Sequence, residues 1–153
     1  MNPLENRIPP PLVMLAFGFF MWAASLYLPH IDISNGLRSG LVIVFCVLGA
    51  GCLITGRNAF VSANTTINPV QIEKATNLVT GGIFQYSRNP MYVGFTLLLI
   101  GWVFYLASPW ALIGPLLFAL FIARFQIMPE ERVLETKFGD AYSNYKASVR
   151  RWL

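Results

Sequence analysis

The chain has 153 residues, 56% of them hydrophobic and 12% charged, with a mean hydropathy of +0.57 and a formal net charge of +4. Too little polar surface remains to cover a water-soluble globule, so the expected solvent is a bilayer, and the length leaves no room for a separate soluble catalytic domain. Two cysteines in one apolar run, Cys46 and Cys52, and a single histidine, His30, argue against a disulfide framework, a metal site and a Ser/His/Asp triad.

Four apolar stretches follow in order, residues 12–28, 39–55, 91–107 and 110–128, each able to cross a thin hydrocarbon core. The first lacks a small-residue cleavage site and is soon followed by a second apolar run, so it reads as a retained helix rather than a signal peptide. Gly49, Gly51 and Gly56 in and after the second stretch, and Gly94 and Gly101 in the third, suit close helix packing. Residues 56–89 read as a long connection, too apolar for a disordered linker and expected to fold back on the helices. Its Asn64-Thr65-Thr66 sequon is discounted because the topology puts it in the cytoplasm.

Ala107-Ser108-Pro109 makes the last two stretches a tight hairpin. Pro129 is expected to break or kink the fourth helix. Residues 130–153 then read as a polar helix, a turn at Gly139-Asp140 and a basic amphipathic helix, with Tyr142, Tyr145, Val149 and Trp152 lying on an anionic leaflet. Of the eleven lysines and arginines, all but Arg38 fall on one side of this topology. By the positive-inside rule both ends and the long connection are cytoplasmic. The fold class expected is therefore an all-α integral membrane domain of about four transmembrane helices, with no nucleic-acid partner.

Three places could carry chemistry. Ser87-Arg88-Asn89-Pro90-Met91-Tyr92-Val93-Gly94 specifies a helix start, with Asn89 as N-cap and Pro90 as first helical residue. The free N–H groups there, strengthened by Arg88, suit a carboxylate or phosphate, although a well-capped transmembrane helix would show the same residues. In Glu130-Glu131-Arg132-Val133-Leu134, Glu131 shares a helix face with Leu134, Glu135 and Phe138 and so needs a cationic partner. An ordinary amphipathic helix with exposed ion pairs is the alternative. Arg124 lies about one turn inside the fourth span, where it either snorkels or faces inward to grip a carboxylate.

Taken in order, Arg88-Asn89-Pro90-Met91-Tyr92-Val93-Gly94, Glu130-Glu131-Arg132-Val133-Leu134 and Phe138-Gly139-Asp140-Ala141-Tyr142-Ser143-Asn144-Tyr145 resemble the isoprenylcysteine carboxyl methyltransferases and their phospholipid methyltransferase relatives. That family carries Arg-His-Pro-x-Tyr-x-Gly before a helical hairpin and Glu-Glu-x-x-Leu and Phe-Gly-x-x-Tyr-x-x-Tyr after it. The resemblance covers residues 66–153 and departs at Asn89, where the family has histidine. An asparagine still hydrogen-bonds but does not titrate.

The resemblance implies S-adenosylmethionine as cofactor, a cytoplasmic pocket built from the long connection and the last helices, and a lipophilic or lipidated acceptor entering from the membrane. It implies a cofactor-binding set of Arg88, Asn89, Pro90, Tyr92, Glu130 and Glu131, with Glu131 facing the donor's positive groups and Arg124 orienting the acceptor. Two other enzyme readings stay open, a phospholipid amine methyltransferase and an NADPH-dependent sterol-type reductase. So does a non-enzymatic helical scaffold.

Overall fold

The computed structural model describes residue 5 and residues 8–63 and 76–153. The sequon at 64–66 and the middle of the expected long connection lie outside the described residues. Those described form helices and no strands: α1 (Pro10–Ser25), α2 (Asn35–Ser62), α3 (Pro90–Leu106), α4 (Ile113–Ile122), α5 (Met128–Phe138) and α6 (Asp140–Ser148). Short 3-10 turns at Gly82–Gln85 and Pro109–Leu112 precede α3 and α4, and a π-turn, Ala123–Ile127, joins α4 to α5. Two runs are long and apolar enough to cross a membrane, Asn35–Ser62 and the continuous Pro109–Phe138, while α1 and α3 are shorter apolar helices.

Two boundaries differ from the sequence expectation. Helix α2 continues through Ser62, so residues 56–62 are helical and not part of the connection. Packing explains the extension: the Phe60 ring meets Phe84 edge-on at 5.2 Å, contact that the weak local signal of Arg57 and Asn58 does not announce. Of the break or kink expected at Pro129, the break does not occur. The proline lacks the N–H owed to the carbonyl one turn back, and the widened π-turn immediately before it shifts the register so that the helix runs on.

The core lies among α1, α3 and α4. Phe118 and Ile122 of α4 are fully buried, Phe17 of α1 packs edge-on against Phe118 at 5.8 Å, and the Trp102 indole of α3 donates to the Gly18 carbonyl at 3.0 Å. Helix α2 packs mainly against α3, and glycines set that seam. A Cβ on Gly94 would stand 2.8 Å from the Gly49 carbonyl oxygen, one on Gly49 would stand 2.9 Å from that of Gly94, and one on Gly56 would meet Met91. Away from the seam α2 exposes Ile43, Val47, Leu48 and Ile54, as α1 exposes Leu15, Phe19 and Phe20 and α4 exposes Leu116 and Leu120. Apolar surface this continuous is what a membrane-embedded protein turns to lipid.

At the hairpin tip Ala107 takes a left-handed conformation with φ 50°. Its carbonyl accepts from the Ile31 N–H at 2.8 Å, and the Ser108 hydroxyl donates to the Pro29 carbonyl at 3.2 Å. The α1–α2 connection and the α3–α4 connection are thereby tied together at the end of the bundle opposite the start of α3.

Candidate active site

The start of α3 is held by the segment that follows α6. The Arg88 N–H donates to the Arg150 carbonyl at 3.0 Å, and the Asn89 side-chain amide donates to the Arg151 carbonyl at 2.9 Å. Asn89 occupies the N-cap position, yet its side chain makes no capping bond. Its own N–H donates to the Ser87 hydroxyl at 3.1 Å, and its carbonyl accepts from Tyr92 and Val93. The side chain expected to cap the helix thus anchors a neighbouring segment instead.

Helix α5 brings its two carboxylates to this place from the other side. The Tyr92 hydroxyl donates to Glu130 at 2.5 Å, and among the described residues Glu130 forms no ion pair. Glu131 is 6% exposed and lies between two arginines. Arg151 grips it with a fork, Nε to Oε1 at 3.1 Å and Nη2 to Oε2 at 2.8 Å, and Arg88 Nη1 stands 3.1 Å from the same Oε1. The Arg88 side chain is itself only 8% exposed. Among the described residues its Nε and Nη1 make no hydrogen bond; Nη1 is within ion-pair distance of Glu131 but off the hydrogen-bonding direction.

The remaining wall comes from α6 and the 3-10 turn before α3. Tyr142 and Tyr145 are buried there, and the Tyr145 hydroxyl donates to the Phe84 carbonyl at 2.7 Å. Burial, then the Glu131 charge, pushes the Tyr142 phenol up to about 12, with Arg88 pulling the other way. Burial, then Tyr142, raises Tyr145 further. Both therefore stay neutral phenols over any working pH. The amphipathic face read from the sequence as lying on lipid is packed inside the protein, since Tyr145 has a buried carbonyl to satisfy.

These elements enclose a cavity of about 270 Å³, close to the small end of ligand pockets. Arg88, Asn89, Pro90, Tyr92, Glu130 and Glu131, the six residues expected at a cofactor site, all line it. Apolar walls complete it: Pro9, Pro10 and Pro11 at the start of α1, Phe60 at the end of α2, and Met91, Phe95, Ile127 and Leu134. Arg124 is not part of the lining. It is half-exposed, bonds Glu5 at 3.1 Å and lies over the Phe125 ring, and Arg132 meets the other oxygen of Glu5 at 2.6 Å. Sequence reasoning missed Arg151, Phe60 and the prolines of α1. Nothing local marked them, although the i, i+3 spacing of Tyr142 and Tyr145 did mark one helix face.

Exposed apolar faces, two helices long and apolar enough to span a bilayer and a charged cavity at the start of α3 suit an enzyme that works at a membrane. The phospholipid methyltransferase family model matches residues 37–141, and the chain belongs to that family. An uncharacterised protein of Haemophilus influenzae is 48% identical over 63 residues, 41% of this chain and all of its own length. The protein-S-isoprenylcysteine O-methyltransferase of Schizosaccharomyces pombe is 34% identical over 60% of this chain and 40% of its own. Protein-S-isoprenylcysteine O-methyltransferase B of Arabidopsis thaliana is 32% identical over 78% of this chain and 58% of its own. The chain thus spans about half the length of these named relatives.

Proposed function

We propose that the protein transfers a methyl group from S-adenosylmethionine to a lipophilic acceptor in the membrane, most like the carboxyl group of an isoprenylcysteine-type substrate. The observation that carries this reading is the cavity's pair of unlike charged groups. Among the described residues Arg88 has two buried N–H groups that make no hydrogen bond, with Nη1 only in ion-pair contact with Glu131, a costly state unless a ligand anion completes it. Glu130 offers a carboxylate partnered by a neutral phenol. An amino-acid zwitterion fits that combination, its carboxylate on Arg88 and its ammonium on Glu130.

Glu131 therefore takes a different part from the one read in the sequence. Held between Arg88 and Arg151, it has no charge left over for a donor's cationic groups, and Glu130 assumes that role. Arg124, paired with Glu5 outside the cavity, is left out of the chemistry.

When bound, S-adenosylmethionine supplies an activated methyl group on a positively charged sulfur, which an acceptor oxygen or nitrogen displaces directly. The chain's residues need only bind, align and exclude water. An acceptor carboxylate is ionised at neutral pH and needs no base. Pro10, Phe60, Met91 and Phe95 give the acceptor's apolar part a dry wall. The cavity lies at the membrane surface on the positively charged, cytoplasmic side, with four spans below it.

A second acceptor, a phospholipid amine, is favoured by the description of the matching family. There Glu130 is the group placed to take the amine's proton. Calorimetric titration of the detergent-purified protein with S-adenosylhomocysteine, with NADPH as the control, tests the reading. Saturable binding of the first alone is expected. Binding of NADPH alone would favour a reductase, and binding of neither would leave a scaffold. Paired assays with a prenylated cysteine and a phosphatidylethanolamine then separate the acceptors.

A further inference from the structure

We propose that Arg151 is a positioning residue that, by fixing the Glu131 carboxylate plane, stops Glu131 from taking up the Arg88 N–H groups in a two-point pair and leaves them for the donor's carboxylate. The inference rests on the methyl-transfer reading. A buried arginine next to a buried glutamate ordinarily pairs with it through two parallel N–H···O bonds. Arg88 and Glu131 do not. They meet as an ion pair at 3.1 Å, yet among the described residues Arg88 Nε and Nη1 make no hydrogen bond. The reason is visible on the other side of the carboxylate, where both Glu131 oxygens are taken by the Arg151 fork at 3.1 and 2.8 Å. A bidentate fork fixes the carboxylate plane as well as its position, and that plane is set for Arg151.

Without the Arg151 side chain, Glu131 is free to rotate about its last bond and close on Arg88. Its oxygens would then take the Arg88 N–H groups as hydrogen bonds, and an incoming carboxylate would have to displace them. Arg151 does not touch the cavity, so it acts through Glu131 and not on the ligand.

The main chain of Arg151 has a separate job, accepting from the Asn89 side chain at 2.9 Å, while the preceding carbonyl accepts from the Arg88 N–H. Those bonds use the main chain and not the side chain at 151. Arg151→Met therefore removes the fork and leaves the segment docked, and Arg151→Lys keeps the charge but loses the planar grip.

The test is calorimetry of the full-length protein in detergent with two titrants, S-adenosylhomocysteine and its analogue lacking only the carboxylate. The wild type should bind the first about tenfold or more tightly than the second, as a charge-assisted pair requires. Arg151→Met should lose about tenfold in affinity for S-adenosylhomocysteine while its affinity for the analogue stays within about twofold, with Arg151→Lys in between. Equal loss for both titrants would mean a general structural role, and no loss for either would mean no role; each overturns the inference. A wild type that binds neither titrant would instead overturn the methyl-transfer reading beneath it.

Discussion

Glu130 on α5, Tyr92 on α3 and Asn89 just before α3 carry different demands at the residue scale. Glu130 has to remain a carboxylate that a cation can approach, and the Tyr92 hydroxyl holds it at 2.5 Å without spending its charge. Glu130→Gln keeps the shape and the bond to Tyr92 while removing the charge, so the affinity for S-adenosylhomocysteine should fall about tenfold or more. Calorimetry on the substituted protein reads this directly, and unchanged affinity would remove Glu130 from the site. Asn89 stands where the motif resemblance leads one to expect histidine, and its observed task is to donate one hydrogen bond to the Arg151 carbonyl. An imidazole has an N–H for the same purpose. Asn89→His should therefore keep near-normal thermal stability in detergent, and Asn89→Ala, which leaves that carbonyl without its donor, should lose about 1 kcal/mol. Equal loss in both would show that the amide itself is needed.

Between elements, the α2–α3 seam rests on backbone meeting backbone. With a Gly94 Cβ placed 2.8 Å from the Gly49 carbonyl oxygen and 2.9 Å from Leu53, Gly94→Ala has no flexible neighbour to push aside. It should cost about 1–3 kcal/mol as an overpacked contact, read as a lower unfolding midpoint in detergent. Gly51, around which nothing lies within 4 Å, is the control. Gly51→Ala should be neutral or slightly stabilising through helix propensity. Much of this level was legible in the sequence, because apolar runs and small residues are local signals. The start of α3 at Pro90 and the turn at Gly139, which has φ 50°, follow from proline and glycine chemistry alone. What was not legible depends on partners distant along the chain. Phe60 extends α2 by meeting Phe84, Glu131 is claimed by Arg151 from 20 residues away, and Arg124 is claimed by Glu5 from 119 away. No window of sequence contains both members of these pairs.

For the whole molecule, helix lengths say where the cavity sits relative to the bilayer. At about 1.5 Å per residue, the 16 residues of α1 and 17 of α3 reach about 25 Å, whereas the 28 of α2 and the 30-residue run Pro109–Phe138 exceed a hydrocarbon core of about 30 Å. Helices α1 and α3 begin at Pro10 and Pro90, and both prolines line the cavity. The surplus turns of the two longer helices carry Phe60, Glu130 and Glu131 to that same level. The site should accordingly lie at the bilayer surface, on the side bearing Arg88, Arg132, Lys146, Arg150 and Arg151, with the connections near His30 and Ser108 on the opposite side. Single-cysteine labelling in cells or sealed vesicles checks this. With Cys46 and Cys52 replaced, a cysteine put in place of exposed His30 should react with a membrane-impermeant maleimide only from outside. One in place of exposed Asp140 should react only from the cytoplasmic side. Labelling of both positions from one side would mean an even number of crossings between His30 and Asp140, where four spans require three. The four-span arrangement, and with it a cytoplasmic donor site, would then be wrong even if the cavity itself bound its ligand.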